Sequence, residues 1–148
     1  MKELRILNTR DIKHLLSLLE KQFSFSGNLD YAFLQNKDDI YLISRDLAKI
    51  DTKKFNINNL GLYFGYIKNA SIRLSIEGSQ LIGSKCGKNI LILDDEDTAD
   101  WIAGEDIEIS TSLKGYVLIK HKNDFIGCGY IKGGKLLNYI PKERRLRL

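Results

Sequence analysis

Residues 115–148 read GYVLIKHKNDFIGCGYIKGGKLLNYIPKERRLRL, and this stretch decides the fold of the C-terminal half. Short runs of β-branched and aromatic residues alternate with turns, which predicts three strands between Tyr116 and Ile140. The turn between the last two contains Gly133-Gly134, a pair typical of a tight hairpin. The stretch therefore predicts a compact, barrel-like β module that ends in a basic tail.

Charge is distributed unevenly along this half of the chain. Residues 114–148 carry nine Lys or Arg against two acids, whereas residues 94–108 carry eight acids and no Lys or Arg. The formal net charge is only +4, so a modest total conceals a strongly polarised C-terminal half. A basic surface on a small β module is the electrostatic footprint expected of a protein that binds nucleic acid.

The first 83 residues predict a small α/β unit. Alternating apolar residues indicate a strand within 2–8, and Thr9 is the expected N-cap of a helix over 10–23, with Gly27-Asn28 ending it. Further elements are predicted as strands at 31–34, 40–43, 60–68 and 71–76, a short helix at 45–50 capped by Ser44, and an asparagine-rich loop at 51–59. The aromatic residues Tyr63, Phe64, Tyr66, Phe125 and Tyr130 are expected to pack in cores.

A glycine-bounded stretch, GSKCG at 83–87, is predicted to divide the chain into two domains, 1–83 and 84–148. Because this linker is short, we expect the domains to pack as one rigid body. Residues 89–93 indicate a buried strand, and Asp94 a helix N-cap followed by acids that favour the positive end of the helix dipole. Helix capping explains most of the acid cluster, and a metal or catalytic site is the alternative.

Trp101 lies off the narrow apolar stripe of this acidic helix, which Gly104 is expected to end. The side chain either covers the junction between the domains or is partly exposed for a partner.

The stretch NILILDDEDTADWIAGEDIEI, together with the glycine-rich strand at Gly127-Cys128-Gly129, resembles a PUA domain. This family is named after pseudouridine synthases and archaeosine transglycosylases, and it places a glycine where strands pass closely. The closing stretch NYIPKERRL is similar to a subgroup of stand-alone archaeal proteins that resemble the C-terminal RNA-binding part of Sun/Fmu-type rRNA cytosine methyltransferases. The resemblance implies an α+β fold, with a small N-terminal α/β (pre-PUA-like) domain followed by a PUA-like β-barrel.

The expected function is recognition of structured RNA, either tRNA or rRNA, in RNA modification or ribosome biogenesis. The predicted contacts are eight basic residues: Arg73, Lys85, Lys88, Lys114, Lys120, Lys142, Arg144 and Arg145. Lysines and arginines neutralise phosphates and give a salt-dependent affinity. For any single lysine, the alternative is a solvated strand edge that prevents aggregation. We expect the tail to lie on the barrel surface with Leu146 as its anchor, and the acidic helix to point away from it.

No enzyme is predicted, because the chain has no phosphate-binding or methyl-donor glycine loop. No cofactor is expected, and no metal site, because the two cysteines lack ligand spacing. The apolar runs are too short for a membrane helix, so we expect a cytoplasmic protein without a membrane partner. Other expected partners are an RNA-modification enzyme or a ribosome assembly factor. The rival function is a protein-interaction adaptor that docks an RNA methyltransferase or a pre-ribosomal particle through the acidic helix and Trp101.

Overall fold

The computed structural model describes residues 4–49 and 61–147. The N-terminal part contains β1 (Leu4–Ile6), α1 (Thr9–Phe23), β2 (Ala32–Asn36), β3 (Asp39–Ile43), α2 (Arg45–Ala48), β4 (Leu62–Lys68), β5 (Ser71–Leu74) and α3 (Ile76–Ile82). The C-terminal part contains β6 (Ile90–Ile92), α4 (Asp95–Ile102), β7 (Ile107–Glu108), β8 (Gly115–His121), β9 (Asp124–Lys132) and β10 (Lys135–Leu137). Short 3₁₀ turns occupy Gly83–Lys85 and Lys142–Arg144. None of these helices has the length and apolar character needed to cross a membrane.

The bounds of α1 differ from the prediction at both ends. Asn8 is the N-cap, since its side-chain oxygen accepts a hydrogen bond from the Asp11 amide at 2.9 Å, so the predicted cap at Thr9 is one residue late. At the other end Ser24 adopts a left-handed conformation with φ of 51°, and its amide donates to the Glu20 carbonyl at 2.8 Å. The helix therefore ends before Gly27, because the chain turns at Ser24 and buries Phe25.

The N-terminal sheet is a meander in the order β1-β2-β3-β4-β5, with every neighbouring pair antiparallel. The turn between β4 and β5 consists of Asn69 and Ala70, both with positive φ, and it places Arg73 opposite Tyr66. Strand β5 is two residues shorter than predicted, because the Ser75 side chain caps α3 by accepting from the Gly78 amide at 2.9 Å. The loop predicted at 51–59 lies outside the described residues.

The C-terminal sheet has the order β6-β8-β9-β10-β7 and curls into a half-barrel. Strand β6 runs parallel to β8, with α4 in the connection, and the remaining pairs are antiparallel. Close packing explains a glycine on β9: a Cβ added at Gly129 would lie 2.7 Å from Leu136 Cδ1 and 2.8 Å from the Trp101 ring. Gly133 and Gly134 both have positive φ and form the predicted hairpin turn.

Two predictions for this sheet are wrong. Strand β6 is an edge strand with a single neighbour, so Ile92 is 68% exposed rather than buried. The last strand ends at Leu137 rather than Ile140, because the next amide, that of Asn138, donates at 2.8 Å to the Asp106 carboxylate instead of to a strand.

The two parts of the chain share one hydrophobic core. Phe64 and Ile72 from the N-terminal sheet are buried in the same cluster as Leu118 and Phe125 from the C-terminal sheet. The Phe125 ring lies so close to Gly83 that any side chain at that glycine would overlap it. A second cluster around Trp101 fills the half-barrel itself. The predicted α+β class is thus confirmed, with an N-terminal sheet-and-helix unit followed by a barrel-like unit.

Candidate nucleic-acid interface

A groove of about 760 Å³ opens along the line where the two sheets meet, and we refer to it as the seam groove. Strands β3, β4, β5 and β9, the start of α3 and the segment after β10 all contribute to its walls. Its aromatic and charged wall residues are Asp39, Tyr41, Tyr63, Arg73, Glu77, Tyr139, Glu143 and Arg144. Grooves of this size at the junction of two units are common places for ligands.

Arg73 is held between two aromatic rings. Its guanidinium carbon lies 4.6 Å from the centroid of the Tyr139 ring and 5.1 Å from that of Tyr66. At these distances the guanidinium is attracted to each of the two rings by a cation–π interaction. Within the described residues, no carboxylate oxygen lies within 4 Å of this guanidinium, so its charge is not neutralised there by an ion pair.

The tyrosines extend this arrangement into a continuous row. The Tyr139 ring lies 6.5 Å from that of Tyr116, which in turn makes an edge-to-face contact with Tyr130 at 4.8 Å. With Tyr66 and Arg73, these rings form what we call the tyrosine row, which bridges the N-terminal sheet, the C-terminal sheet and the segment after β10. The row places flat aromatic surface and one cation on the same side of the molecule.

A second pair of tyrosines also lines the groove. Tyr41 and Tyr63 are 5.4 Å apart, and the Tyr63 hydroxyl donates to the Asp39 carboxylate at 3.0 Å. Burial raises the pKa of the Tyr63 phenol well above its usual range, and the hydrogen bond to Asp39 raises it further. This hydroxyl therefore stays protonated at neutral pH and occupies one acceptor position of Asp39.

Asn138 fixes the backbone that carries Tyr139. Its side-chain amide donates to the carbonyls of Trp101 at 2.7 Å and Glu105 at 3.1 Å, and its side-chain oxygen accepts from the Ile140 amide at 2.8 Å. Ile140 is buried, whereas Tyr139 between them is 39% exposed. The ring of Tyr139 is thus presented to the groove from a segment tied down on both sides.

The basic tail follows this segment and lies against α3 and α4. Arg144 forms an ion pair with Glu77, with 2.6 Å between Nη1 and Oε1. Arg145 donates from Nε to the Ile140 carbonyl at 3.0 Å and lies across Gly104. The Leu146 amide donates to the Ile102 carbonyl at 2.8 Å.

The anchor of the tail differs from the prediction. The Leu146 side chain is 61% exposed, so it anchors the tail through its backbone amide rather than through apolar burial. Arg145 does not project freely outward, because its guanidinium is used to hold the tail to Ile140. Arg144 remains exposed where it lines the seam groove, and Lys142 is exposed two residues before it.

The other predicted contact residues lie in separate places. Lys85 follows Gly83 in the 3₁₀ turn, its side chain lying beside Gly27, and the Lys88 amide donates to the Phe23 carbonyl at 3.1 Å. Lys120 packs its ammonium over the Phe125 ring at 5.2 Å, on the ring that also covers Gly83. Lys85 and Lys88 therefore lie near the end of α1, and Lys120 lies over the ring that packs on Gly83.

Lys114 lies far from Lys120 along β8. It precedes the first residue of β8, whereas Lys120 is near the last, which separates their backbones by roughly 20 Å at about 3.3 Å per residue. The structure thus brings Arg73 and Arg144 together at the seam groove, and does not bring Lys114 and Lys120 to the same end of β8.

The acidic helix α4 was expected to point away from the basic tail. It has basic residues beside both of its ends. Asp94 caps α4 as predicted, accepting from the Asp97 amide at 2.8 Å. Asp95, in the first turn, accepts a hydrogen bond of 2.7 Å from His121 Nε2, and this contact together with Lys122 lowers the pKa of its carboxyl. The far end of the same helix contacts the tail through Ile102, so the acidic turn lies beside Lys122 and the other end beside Arg145.

Trp101 is fully buried in the second core, so the partly exposed alternative is wrong. Its ring packs on Gly127 and Gly129 of β9. A partner could reach the acidic side chains of α4 but not the indole, which removes one of the two contacts expected of an adaptor.

Burial disfavours the thiolate form of both cysteines. Burial raises the pKa of Cys86 to about 11 and that of Cys128 to about 12, so both remain protonated. Within the described residues, no group of three or more His, Cys, Asp or Glu side chains is placed to hold a metal ion.

The tyrosines are the part of the interface that the sequence did not predict. Phe64 and Phe125 are in the core as expected, but Tyr63 retains 36% exposure, with its phenol partly buried, and Tyr66 and Tyr130 are half-buried along the seam. One signal was present: counting outward from the two-residue turn Asn69-Ala70 pairs Arg73 with Tyr66. The placement of Tyr139 beside them has no counterpart in local sequence.

Comparison with known proteins bears on the same part of the chain. Residues 88–146 match the family model described as the methyltransferase RsmF PUA domain. No curated protein matches the chain. The match confirms the predicted resemblance of this part of the chain to a PUA domain of the kind found in the C-terminal region of Sun/Fmu-type methyltransferases. A PUA domain is an RNA-binding module without catalytic activity of its own, which supports an RNA-binding role for the chain.

Proposed function

We propose that this PUA-domain protein binds structured RNA, tRNA or rRNA, as a non-catalytic component of RNA modification or ribosome biogenesis. The observation that carries the proposal is that Arg144, in the part of the chain that matches the PUA domain, lines the same groove as Arg73 of the preceding unit. Arginine can contact a phosphate with two parallel hydrogen bonds or stack on a base, so it suits RNA in both respects.

The distribution of the basic residues supports a folded ligand rather than a short strand. The predicted contacts Lys85, Lys88, Lys114 and Lys120 do not line the seam groove, and Lys85 and Lys88 lie near the end of α1. A folded RNA presents phosphates over a broad area, whereas one short strand follows one path. The proposed location is the cytoplasm, where tRNA and ribosomal particles are available.

The direct test is titration with total tRNA and with rRNA fragments at two salt concentrations. Phosphate contacts release counterions, so we expect log K to fall linearly with the logarithm of salt concentration, with a slope of about 0.9 per phosphate contacted. An RNA affinity that is absent, or that does not change with salt, would overturn the proposal.

The adaptor function has one supporting observation of its own. Strand β6 is an open sheet edge with Ile92 exposed, directly before the exposed acids that begin α4. Exposed edges of this kind can accept a strand from another protein. The test is a pull-down of an RNA methyltransferase or a pre-ribosomal particle. If Ile92→Lys no longer captures either one while its RNA affinity is unchanged, this alternative is supported.

A further inference from the structure

We propose that the seam groove holds one unpaired nucleotide of the bound RNA, with its base stacked on Tyr139 and its phosphate bound by Arg144 and Lys142. This inference rests on the proposed function and specifies which part of the RNA enters the groove. It predicts that the protein distinguishes RNA with a single-stranded extension from fully paired RNA of the same sequence.

The first support is the way in which Tyr139 is presented. Its neighbours are fixed, Asn138 by three side-chain hydrogen bonds and Ile140 by burial, while the ring itself remains accessible. Arg73 lies over the ring, and the tilted ring of Tyr116 is 6.5 Å away between centroids. A rigidly held, half-open aromatic ring is what base stacking requires, because little conformational entropy is lost when the base arrives.

The second support is the state of Arg144. Its ion pair with Glu77 orients the guanidinium at the rim of the groove through Nη1. A guanidinium has five N–H donors, so this contact leaves donors for a phosphate. Lys142 precedes it in the same 3₁₀ turn and is exposed, which adds a second cation within one turn.

The acids of the groove favour a nucleotide over a simple anion. Glu77 is paired with Arg144, and Asp39 accepts from Tyr63, but Glu143 is exposed at the rim beside them. A free phosphate or an acidic peptide would meet these carboxylates and gain nothing from the tyrosines. A nucleotide separates its charge from its base, so the base edge can donate to a carboxylate while the phosphate stays at the arginine.

The competing explanation is that the tyrosine row only seals the seam between the two sheets. In that case Tyr139 contributes to stability, and its removal changes all RNA affinities alike or none. The two explanations are separated by a ligand pair that differs only in an unpaired extension, and by a probe in the extension itself.

The experiment measures fluorescence anisotropy with an RNA hairpin that carries a short single-stranded 3′ extension and with the same hairpin ending blunt. We expect the wild-type chain to bind the extended hairpin more tightly. Tyr139→Ala should lower that affinity by about 5- to 150-fold, the range for removal of one base stack, and leave the blunt hairpin unchanged. Tyr139→Phe keeps the ring and should retain the preference. The matched control is Tyr31→Ala, because Tyr31 is 37% exposed and lies against α1, outside the groove.

A 2-aminopurine base placed in the extension gives a readout that a purely structural role would not change. Its fluorescence should be quenched on binding to the wild-type chain and to Tyr139→Phe, and not to Tyr139→Ala. Equal affinity for the two hairpins, or an equal loss for both with Tyr139→Ala, would overturn this inference and leave RNA binding intact. A different outcome would overturn the proposed function and this inference with it. In that outcome the wild-type chain binds neither hairpin, nor total tRNA, nor the rRNA fragments.

Discussion

Arg145 of the tail lies directly across Gly104, the residue that follows the C-cap of helix α4. Gly104 has a φ of 94°, a conformation that a residue with a side chain adopts only under strain. The absence of a side chain lets the guanidinium reach the Ile140 carbonyl at 3.0 Å. The end of α4 and the basic tail therefore pack against each other at Gly104.

Gly104→Ala should destabilise the protein by about 2 kcal/mol, measured by urea denaturation. About half comes from backbone strain at positive φ and the rest from displacement of Arg145 from its hydrogen bond. The matched control is Gly134→Ala, which has a φ of 76° but no heavy atom within 4 Å of the added carbon, and should show the strain alone. If the two variants lose the same free energy, the contact with Arg145 contributes nothing to stability.

Lys142→Glu should weaken RNA binding and reduce the slope of its salt dependence by about one unit for each phosphate that the variant no longer binds. The free energy of unfolding of this variant should change by less than about 1 kcal/mol, because an exposed charge contributes little to stability. Lys13→Glu, on the exposed face of α1, makes the same change in net charge away from the groove. Glu96→Lys, on the exposed first turn of α4, should leave affinity unchanged or raise it. An equal effect of the Lys13 and Lys142 variants would mean that only net charge matters.

The two thiols should react differently from free cysteine, and the reaction should depend on pH. With a pKa of about 11, the half-buried Cys86 has little thiolate at pH 8, so labelling by a disulfide reagent should be slow and rise about tenfold per pH unit. The buried Cys128, with a pKa of about 12, should react only on unfolding. Rapid labelling of both thiols in the native protein at pH 8 would contradict these assignments.

The same thiols make stability depend on alkaline pH. Their folded pKa values are raised above the value of about 8.5 for an unfolded cysteine. The folded chain then keeps protons that the unfolded chain releases, so this contribution is complete below about pH 8.5 and is lost as pH rises towards 11 and 12. Cys86→Ser, compared with the wild type across this range, should show a weaker decline, and an identical decline would contradict the raised pKa of Cys86.

Unfolding should be a single cooperative transition, because Phe125 of the C-terminal sheet is buried in the core of the N-terminal sheet and against Gly83. Trypsin should cut poorly at Lys85 and Lys88 although both are exposed, since no free linker separates the halves. Phe125→Ala should cost about 3–5 kcal/mol and increase that cleavage. Easy cleavage of the wild-type chain into separately tumbling halves would contradict a rigid body.

Helix caps and turns could be predicted from the sequence, whereas the placement of residues that are distant in the chain could not. Asp94, Ser44 and Gly133-Gly134 act as predicted, because capping and turn chemistry involve residues only a few positions apart. The prediction of a buried Ile92 is wrong because apolar runs look alike in edge and central strands, and only the neighbouring strands decide its exposure.

The seam groove illustrates the other limit. The charge of Arg73 predicts a contact residue, but its environment depends on Tyr139, which is brought to it by the packing of two sheets. Likewise, nothing in the local sequence distinguishes Asn138 from the other asparagines. Its role depends on the carbonyls of Trp101 and Glu105, which only the folded chain brings within hydrogen-bonding distance. Tertiary contacts of this kind leave no periodicity in the sequence from which they could be predicted.

The parallel pairing of β6 with β8 has a consequence for the order in which the protein forms. The N-terminal meander joins each strand to the one just before it, so it can assemble as the chain leaves the ribosome. Strand β6 must instead wait until β8 has been made, and until then it has no partner of its own sheet. The finished N-terminal sheet then offers Phe64 and Ile72 as a surface onto which β8 and β9 collapse with Leu118 and Cys128. We therefore expect the half-barrel to assemble after the N-terminal sheet, which serves as its template.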